Sequence, residues 1–348
     1  MGGEDELITI NGRMKNVIKR TDCLNTIRLL GAIQVLYGHA LSHLKIEAIP
    51  VVGDFINFFY GVPIFFTMSG FLIWGSCGRS VSYGDYLKKR FWRIYPELWV
   101  AVVIEMIVLF TLYAGPYNWP QTILFVFTQS SIFQFWTPEC LRDYGCGTPN
   151  GALWTIGIII QFYIISYFLY KRLHATSLKK WLWGGVFPTI LVGVLSPMIR
   201  ERMPVIMGKL YGQTLLPYLW MFVLPCFIAE YKEKILPFLK KYWWLFLVLT
   251  LLLKYYVRMD IDASYGLLRT LLLFCTLTGM AYLLPSLNVK TDISYAIYIY
   301  HMTLVNALLA LGFVQERWLL LVVLVTTCLI AWLSTVTIGK YSLSRKYK

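Results

Sequence analysis

Charge is scarce in this chain. Only 14% of its 348 residues are Asp, Glu, Lys or Arg, and the acids number 18. A soluble domain carries about 25% charged residues. Hydrophobic residues make up 58%, and the mean hydropathy is +0.61. These values exclude an ordinary soluble protein and a disordered one, and most of the apolar surface must face lipid. Histidine is rarer still, with four copies, and the seven cysteines form no Cys/His spacing of a zinc site. No metal is expected. No Pro/Gly/Ser-rich linker, low-complexity tract or repeat divides the chain, so residues 1–348 read as a single transmembrane domain. Met1–Arg20 is polar and holds no apolar core of a signal peptide, so the first span is expected to direct insertion.

What is present is a series of long apolar runs. A membrane-spanning helix needs about 20 such residues. Ten candidates lie near Leu24–Leu44, Phe55–Trp74, Pro96–Ala114, Leu153–Tyr170, Trp181–Met198, Gln213–Ala229, Trp243–Val257, Tyr265–Leu284, Ile293–Leu311 and Trp318–Ile338. Thr122–Trp136 is shorter and carries Thr128, Gln129, Ser130, Ser131 and Gln134, which suits a re-entrant or interfacial piece. The expected fold is all-α, a polytopic membrane helix bundle. On this reading 22 of the 32 Lys and Arg fall on one side and 8 on the other, with Arg28 and Arg269 inside spans. The richer side is assigned to the cytoplasm. Both termini then lie there: an N-terminal segment at 1–22 and a tail at 339–348. The basic surplus of +14 is explained by topology, so nucleic acid is not an expected partner. The longest outer loop, 115–151, is too short for an independent catalytic domain. Cys140 and Cys146 share that loop, and their spacing permits a disulfide if the chain turns at Gly145.

Ionisable groups within spans cost about 2.5–3.5 kcal/mol each at the centre and mark function. The first span reads Leu24-Asn-Thr-Ile-Arg-Leu-Leu-Gly-Ala-Ile-Gln-Val-Leu-Tyr-Gly-His39. Arg28 and His39 are eleven residues apart, three turns plus about 20°, so they share a face about 16 Å apart along the axis. That face must turn inward. Arg28 could otherwise snorkel to headgroups and His39 serve packing. Tyr86-Leu-Lys-Lys-Arg-Phe-Trp-Arg-Ile-Tyr-Pro96 places Arg90 and Arg93 at i, i+3 near the cytoplasmic edge. The pair suits either headgroup anchoring or an anion site, since guanidiniums grip phosphates bidentately.

These elements resemble the acyltransferase 3 family, membrane enzymes that O-acetylate cell-surface glycans. Arg28…His39 is similar to the family's Arg-x10-His signature. Gly61-Val-Pro-Ile-Phe-Phe-Thr-Met-Ser-Gly-Phe-Leu-Ile73 is similar to its second-span motif, and Arg90-Phe-Trp-Arg93-Ile-Tyr-Pro96 to its Arg-x-x-Arg…Tyr-Pro element. Leu153-Trp-Thr-Ile-Gly-Ile-Ile-Ile-Gln-Phe-Tyr163 and Ile293-Ser-Tyr-Ala-Ile-Tyr-Ile-Tyr-His301 resemble its fourth- and ninth-span motifs. One departure stands out: the family's fourth-span carboxylate falls at Ile159 here. Glu105, near the middle of the third span, is the candidate to supply a buried carboxylate in its stead.

The resemblance implies an integral-membrane O-acyltransferase of the cell (inner or plasma) membrane. Acetyl-CoA would be the acyl-donor co-substrate, with no permanently bound cofactor. The acceptor would be a glycan or lipid-linked sugar of an exported polysaccharide. Arg90, Arg93 and Arg28 would meet the donor's phosphates on the cytoplasmic half. His39 would act as general base, and His301 would orient it or relay protons. Ser69 and Tyr295 are expected to shape packing. The competing readings are a transporter of acylated glycan, which buried Arg, His and Glu would also serve, and a non-catalytic assembly subunit. The Arg-x-x-Arg element and the absence of an inverted repeat favour the enzyme.

Overall fold

The structure is a computed structural model that describes residues 6–10, 13–17, 22–257 and 266–346. Lys19, Arg20, Arg258 and Lys348 of the charge tally lie outside the described residues. The fold is all-α apart from a short hairpin ahead of the helices. Strand β1 (Glu6–Ile10) pairs antiparallel with β2 (Arg13–Val17), with Ile10 opposite Arg13. An Asn-Gly pair, here Asn11 and Gly12, flanked by short apolar-polar runs is the strongest local hairpin signal.

Everything after the hairpin is helical among the described residues. The helices are α1 (Leu24–Leu44), α2 (Pro50–Ile56), α3 (Gly61–Gly78), α4 (Tyr83–Leu112) and α5 (Trp119–Gln129). They continue with α6 (Trp154–Leu173), α7 (Leu178–Trp181), α8 (Phe187–Arg202), α9 (Val205–Tyr211) and α10 (Leu219–Glu230). The last are α11 (Lys232–Tyr255), α12 (Leu267–Leu283), α13 (Ser294–Ala310), α14 (Trp318–Ser334) and α15 (Lys340–Lys346).

Six helical stretches are long and apolar enough to cross a membrane, and a seventh is added if α9 and α10, bent by 49°, form one broken span. Ten were expected. The other three, α1, α12 and α13, are present as helices but do not meet the criterion. Polar Arg28, Gln34, His39 and His43 dilute α1, and α12 and α13 have 17 residues each. Helix α5, at 11 residues, is far too short to span.

Helix α13 is the hub. It packs on α1, α4 and α14, and its His301 and Asn306 are buried along with Ile297, Ile299 and Val305. Beside it, α3 is clamped at two glycines. A Cβ on Gly61 would meet the Gly31 carbonyl of α1 at 2.3 Å, and one on Gly70 would meet the Phe222 carbonyl of α10 at 2.3 Å. Only glycine lets these backbones approach so closely.

Pro96 inside α4 explains the docking of α15. Proline has no N–H, so the Trp92 carbonyl four residues back loses its helical partner. The Ser342 hydroxyl of α15 donates to that carbonyl. The turn joining α14 to α15, Thr335–Gly339, is a π-helical stretch and lies next to the same part of α4.

The expected disulfide is absent. Gly145 does turn the chain, at φ +58°. Yet Cys140 Sγ faces the Thr122 hydroxyl at 3.9 Å, Cys146 Sγ faces the Thr148 carbonyl at 3.6 Å, and both thiols are free. The loop is instead tied down by Asn306, whose side chain accepts from Cys146 N–H at 2.8 Å and donates to the Thr148 and Pro149 carbonyls.

Candidate active site

Two clusters flank the first half of α13, and α1 contributes to both. At the helix start, Asp292 Oδ2 pairs with Arg28 of α1 and with Arg93 Nη2 of α4, the latter at 3.2 Å. Asp292 Oδ1 accepts from Ser294 N at 3.1 Å and from Ser294 Oγ at 2.5 Å. Burial alone would raise the Asp292 carboxyl. The two guanidiniums and the Ser294 hydrogen bonds outweigh it and hold the group below the usual carboxylate range. Arg93 also lies over the Tyr295 ring, 5.8 Å from its centroid. The Tyr295 hydroxyl donates to the Ile94 carbonyl at 2.9 Å, which fixes α13 to α4.

Farther along α13, His301 is fully buried and meets His39 of α1. His301 Nδ1 lies 3.1 Å from the Ile297 carbonyl, which can only accept, so Nδ1 carries the proton. In the neutral ring Nε2 is then the acceptor. It lies 2.8 Å from His39 Nδ1, which must donate. This chain of bonds leaves His39 Nε2 as the ring nitrogen with a lone pair, and it makes no hydrogen bond among the described residues. The tautomers are fixed by the network and not by sight of hydrogens. His43, one turn on, has its ring 5.7 Å from that of His39.

A narrow cavity adjoins the arginine cluster. About 500 Å³ of empty space is lined by Arg28, Arg93, Phe65, Ile156, Ile159, Thr155 and Tyr298, and neither His39 nor His301 lines it. Ser69 and Tyr295 line it too. Tyr298 is hydrogen-bonded to Thr155 at 2.6 Å, and its ring lies 5.9 Å from that of His301. On the other side of the arginines a wide mouth of about 1130 Å³ opens, lined also by Lys290, Asp292, Gly339 and Lys340. Arg28 and Arg93 therefore stand where mouth and cavity meet. Four cations and one carboxylate line the mouth, and cavity walls beyond it are largely apolar.

Of the residues singled out from sequence, Arg28 and Arg93 line this passage, and His39 and His301 pair with each other behind Tyr298. Arg90 does not line it. Its guanidinium turns the other way, donating to Ser76 Oγ at 2.9 Å and lying over the Tyr86 and Tyr163 rings. Glu105 is also apart. It is 1% exposed and does not line the cavity; it sits beside Asn150 and Tyr144, and neither carboxyl oxygen makes a well-formed hydrogen bond. Asn150 in turn donates to the Ile299 carbonyl, two residues before His301, at 2.9 Å. Ile159 faces the cavity as apolar wall, so the missing family carboxylate leaves no polar group at that place.

Sequence reasoning missed Asp292. An acid two residues before a helix reads as a terminal cap, and Asp292 is one through Ser294, which hides its second role. Glu97 was missed as well. It is one turn beyond Arg93 on α4, is 3% exposed, and accepts from Ser334 Oγ at 3.2 Å.

Comparison with known proteins identifies the family. The acyltransferase domain of the acyltransferase 3 family matches residues 21–336. Nodulation protein 10 of Rhizobium leguminosarum bv. viciae is 27% identical over 336 residues, covering 88% of this chain and 89% of that protein. An O-acetyl transferase of Shigella phage Sf6 is 32% identical over 158 residues, 42% of this chain and 45% of that protein. No solved structure matches the chain. The match runs from before α1 to the π-helical turn and takes in Arg28, Arg93, His39 and His301, and the chain belongs to the acyltransferase 3 family of membrane acyltransferases.

Proposed function

We propose that this protein transfers an acetyl group from acetyl-CoA to a sugar hydroxyl of a cell-surface or exported glycan. The observation that carries the reading is the passage itself. A cationic mouth suits the phosphates of the donor. A narrow apolar-walled cavity suits its slender pantetheine arm. The passage leads to Tyr298, which adjoins His301, which in turn fixes the tautomer of His39.

In this reading the donor's phosphates rest on Arg28, Arg93, Lys290 and Lys340. Asp292 pre-sets the two guanidiniums. Arg90 braces α4 behind them. His39 Nε2 accepts the proton of the sugar hydroxyl as its oxygen bonds to the thioester carbonyl carbon. The C–S bond then breaks, and the coenzyme A thiolate leaves and takes up that proton. His301 is the positioning residue, since its Nε2 holds His39 Nδ1–H. Glu105 acts at one remove, through Asn150, by holding the 113–153 connection against α13. The mouth is cytoplasmic, both termini share that side, ten helices traverse the inner or plasma membrane, and the acceptor arrives from the opposite face.

The test is glycan analysis of cells with and without the gene. Loss of O-acetyl groups from a polymer that still reaches the surface is the expected result. Loss of the polymer from the surface, with acetylation of the retained material intact, would identify a transporter and overturn the proposal.

A further inference from the structure

A second pocket lies at the Trp154 end of α6 and shares no residue with the passage. It holds about 750 Å³ of space lined by Phe135, Trp154, Arg200, Lys209, Gln213 and Tyr218, among others. No acidic side chain lines it. Neither Arg200 nor Lys209 takes part in an ion pair among the described residues. The aromatic wall is firmly built: the Trp154 and Tyr218 rings lie 5.7 Å apart, and the Tyr218 hydroxyl donates to the Gly212 carbonyl at 3.1 Å. The Arg200 guanidinium lies beside Gly212, where a Cβ would sit 3.6 Å from its Nη1. Gln161 ties this wall to α6 by bonding the Gln213 carbonyl and the Leu215 N–H, each at 2.9 Å.

The chemistry is that of a site for an acidic sugar. Flat aromatic side chains with a polar edge take the apolar face of a pyranose ring, and an Arg and a Lys without internal counter-ions take an anionic substituent. The place fits as well. Trp154 faces this pocket while Thr155, its neighbour in the chain, lines the passage and bonds Tyr298. A sugar held against Trp154 lies next to the residue that bonds Tyr298, whose ring adjoins that of His301. Helix α9, which supplies Lys209, exposes Val205 and Ile206 by more than 70%, as a segment at a membrane surface does.

We infer that this pocket binds the acceptor and selects a glycan that carries a carboxylate or phosphate near the sugar to be acylated. The inference rests on the acyltransferase reading for its biological meaning, but its test needs no acyl transfer. Full-length protein in zwitterionic lipid nanodiscs is titrated, without acetyl-CoA, with three probes. These are a glucuronic-acid-containing oligosaccharide, the same oligosaccharide with its carboxyl reduced, and a neutral oligosaccharide on a polyprenyl diphosphate. The acidic form should bind about tenfold more tightly than the reduced one, and less so at high salt. The Arg200→Gln/Lys209→Gln double variant should lose that preference, whereas Arg200→Lys/Lys209→Arg keeps most of it. Selective binding of the diphosphate probe, lost in the same double variant, places the anion on the lipid carrier and not on the sugar. Equal affinity for all three probes, binding of none, or a double variant that differs from the wild type only in retaining phosphatidylglycerol would overturn the inference. If the preference holds but no acetyl group is ever transferred, the pocket stands and the enzyme reading falls.

Discussion

His39 Nδ1 and His301 Nε2 lie 2.8 Å apart although 262 residues separate them in the chain. Because His301 Nδ1 is committed to the Ile297 carbonyl, the pair has one open lone pair, on His39 Nε2. Removing the base should cost about 10²–10⁴-fold in transfer rate. His39→Ala is expected to lose glycan acylation while binding acetyl-CoA normally. His301→Ala should lower kcat with little change in the donor KM, and His301→Gln, which can still accept from His39, should recover part of it. Near-normal transfer by His39→Ala would refute the assignment.

Arg93 should act on the donor and not on the chemistry. Loss of one charged hydrogen bond costs about 1.5–3 kcal/mol, so Arg93→Ala should raise the dissociation constant for acetyl-CoA accordingly. Arg90→Ala should have the smaller effect on donor affinity, since its guanidinium is held by Ser76 away from the mouth. Calorimetry on both variants ranks them; a larger effect at Arg90 would reverse the geometry proposed here.

Lys290 and Lys340 line the mouth without facing the cavity. Lys290→Gln/Lys340→Gln should weaken acetyl-CoA but leave acetyl-pantetheine, which has no phosphates, unchanged. Equal loss for both donors would place these lysines outside phosphate recognition.

Asp292→Asn leaves two guanidiniums without their shared counter-charge and should lower thermal stability and donor affinity together. The pH dependence has a definite sign. A carboxyl lowered on folding contributes fully above its unfolded value and loses that contribution only as pH falls through the folded one. The Asp292 contribution to the melting temperature should therefore be full and constant between about pH 6 and 8 and be lost in acid below the ordinary carboxylate range, in the wild type but not in Asp292→Asn. The same acid-limb slope in both would remove Asp292 from the account.

Glu105→Gln should lower activity while protein levels stay intact, because a buried mid-span carboxyl is costly to keep without a purpose. Full activity would assign Glu105 to packing alone.

The co-facing of Arg28 and His39 was legible because helical periodicity is a property of one short segment. Asp292 was not, and His301 entered through the family resemblance alone. Both lie at the other end of the chain, and no local pattern states that α1 packs on α13. The matching distances, eleven residues on α1 and nine on α13, emerge only when the two helices are side by side. The two span counts differ for the same reason. An isolated-helix criterion rejects α1, whose polar face is acceptable only because α13 covers it, and it rejects α12 and α13 on length. The hairpin had a local signal in Asn11-Gly12 that the emphasis on apolar runs passed over. The free thiols of Cys140 and Cys146 depend on Asn306 anchoring the loop, again a contact from a distant helix.

The span from Arg28 to Asp292, 264 residues, also sets a timetable for biosynthesis. At about 5–20 residues per second the counter-ion emerges roughly 13–50 s after the arginine. During that interval α1 is in or beside the bilayer with its guanidinium and its histidine uncovered, and only the arrival of α13 relieves both together. A chain cut short after α12 therefore lacks more than its last three helices: Arg28 is without Asp292 and His39 without His301, and quality control should recognise it as unfinished.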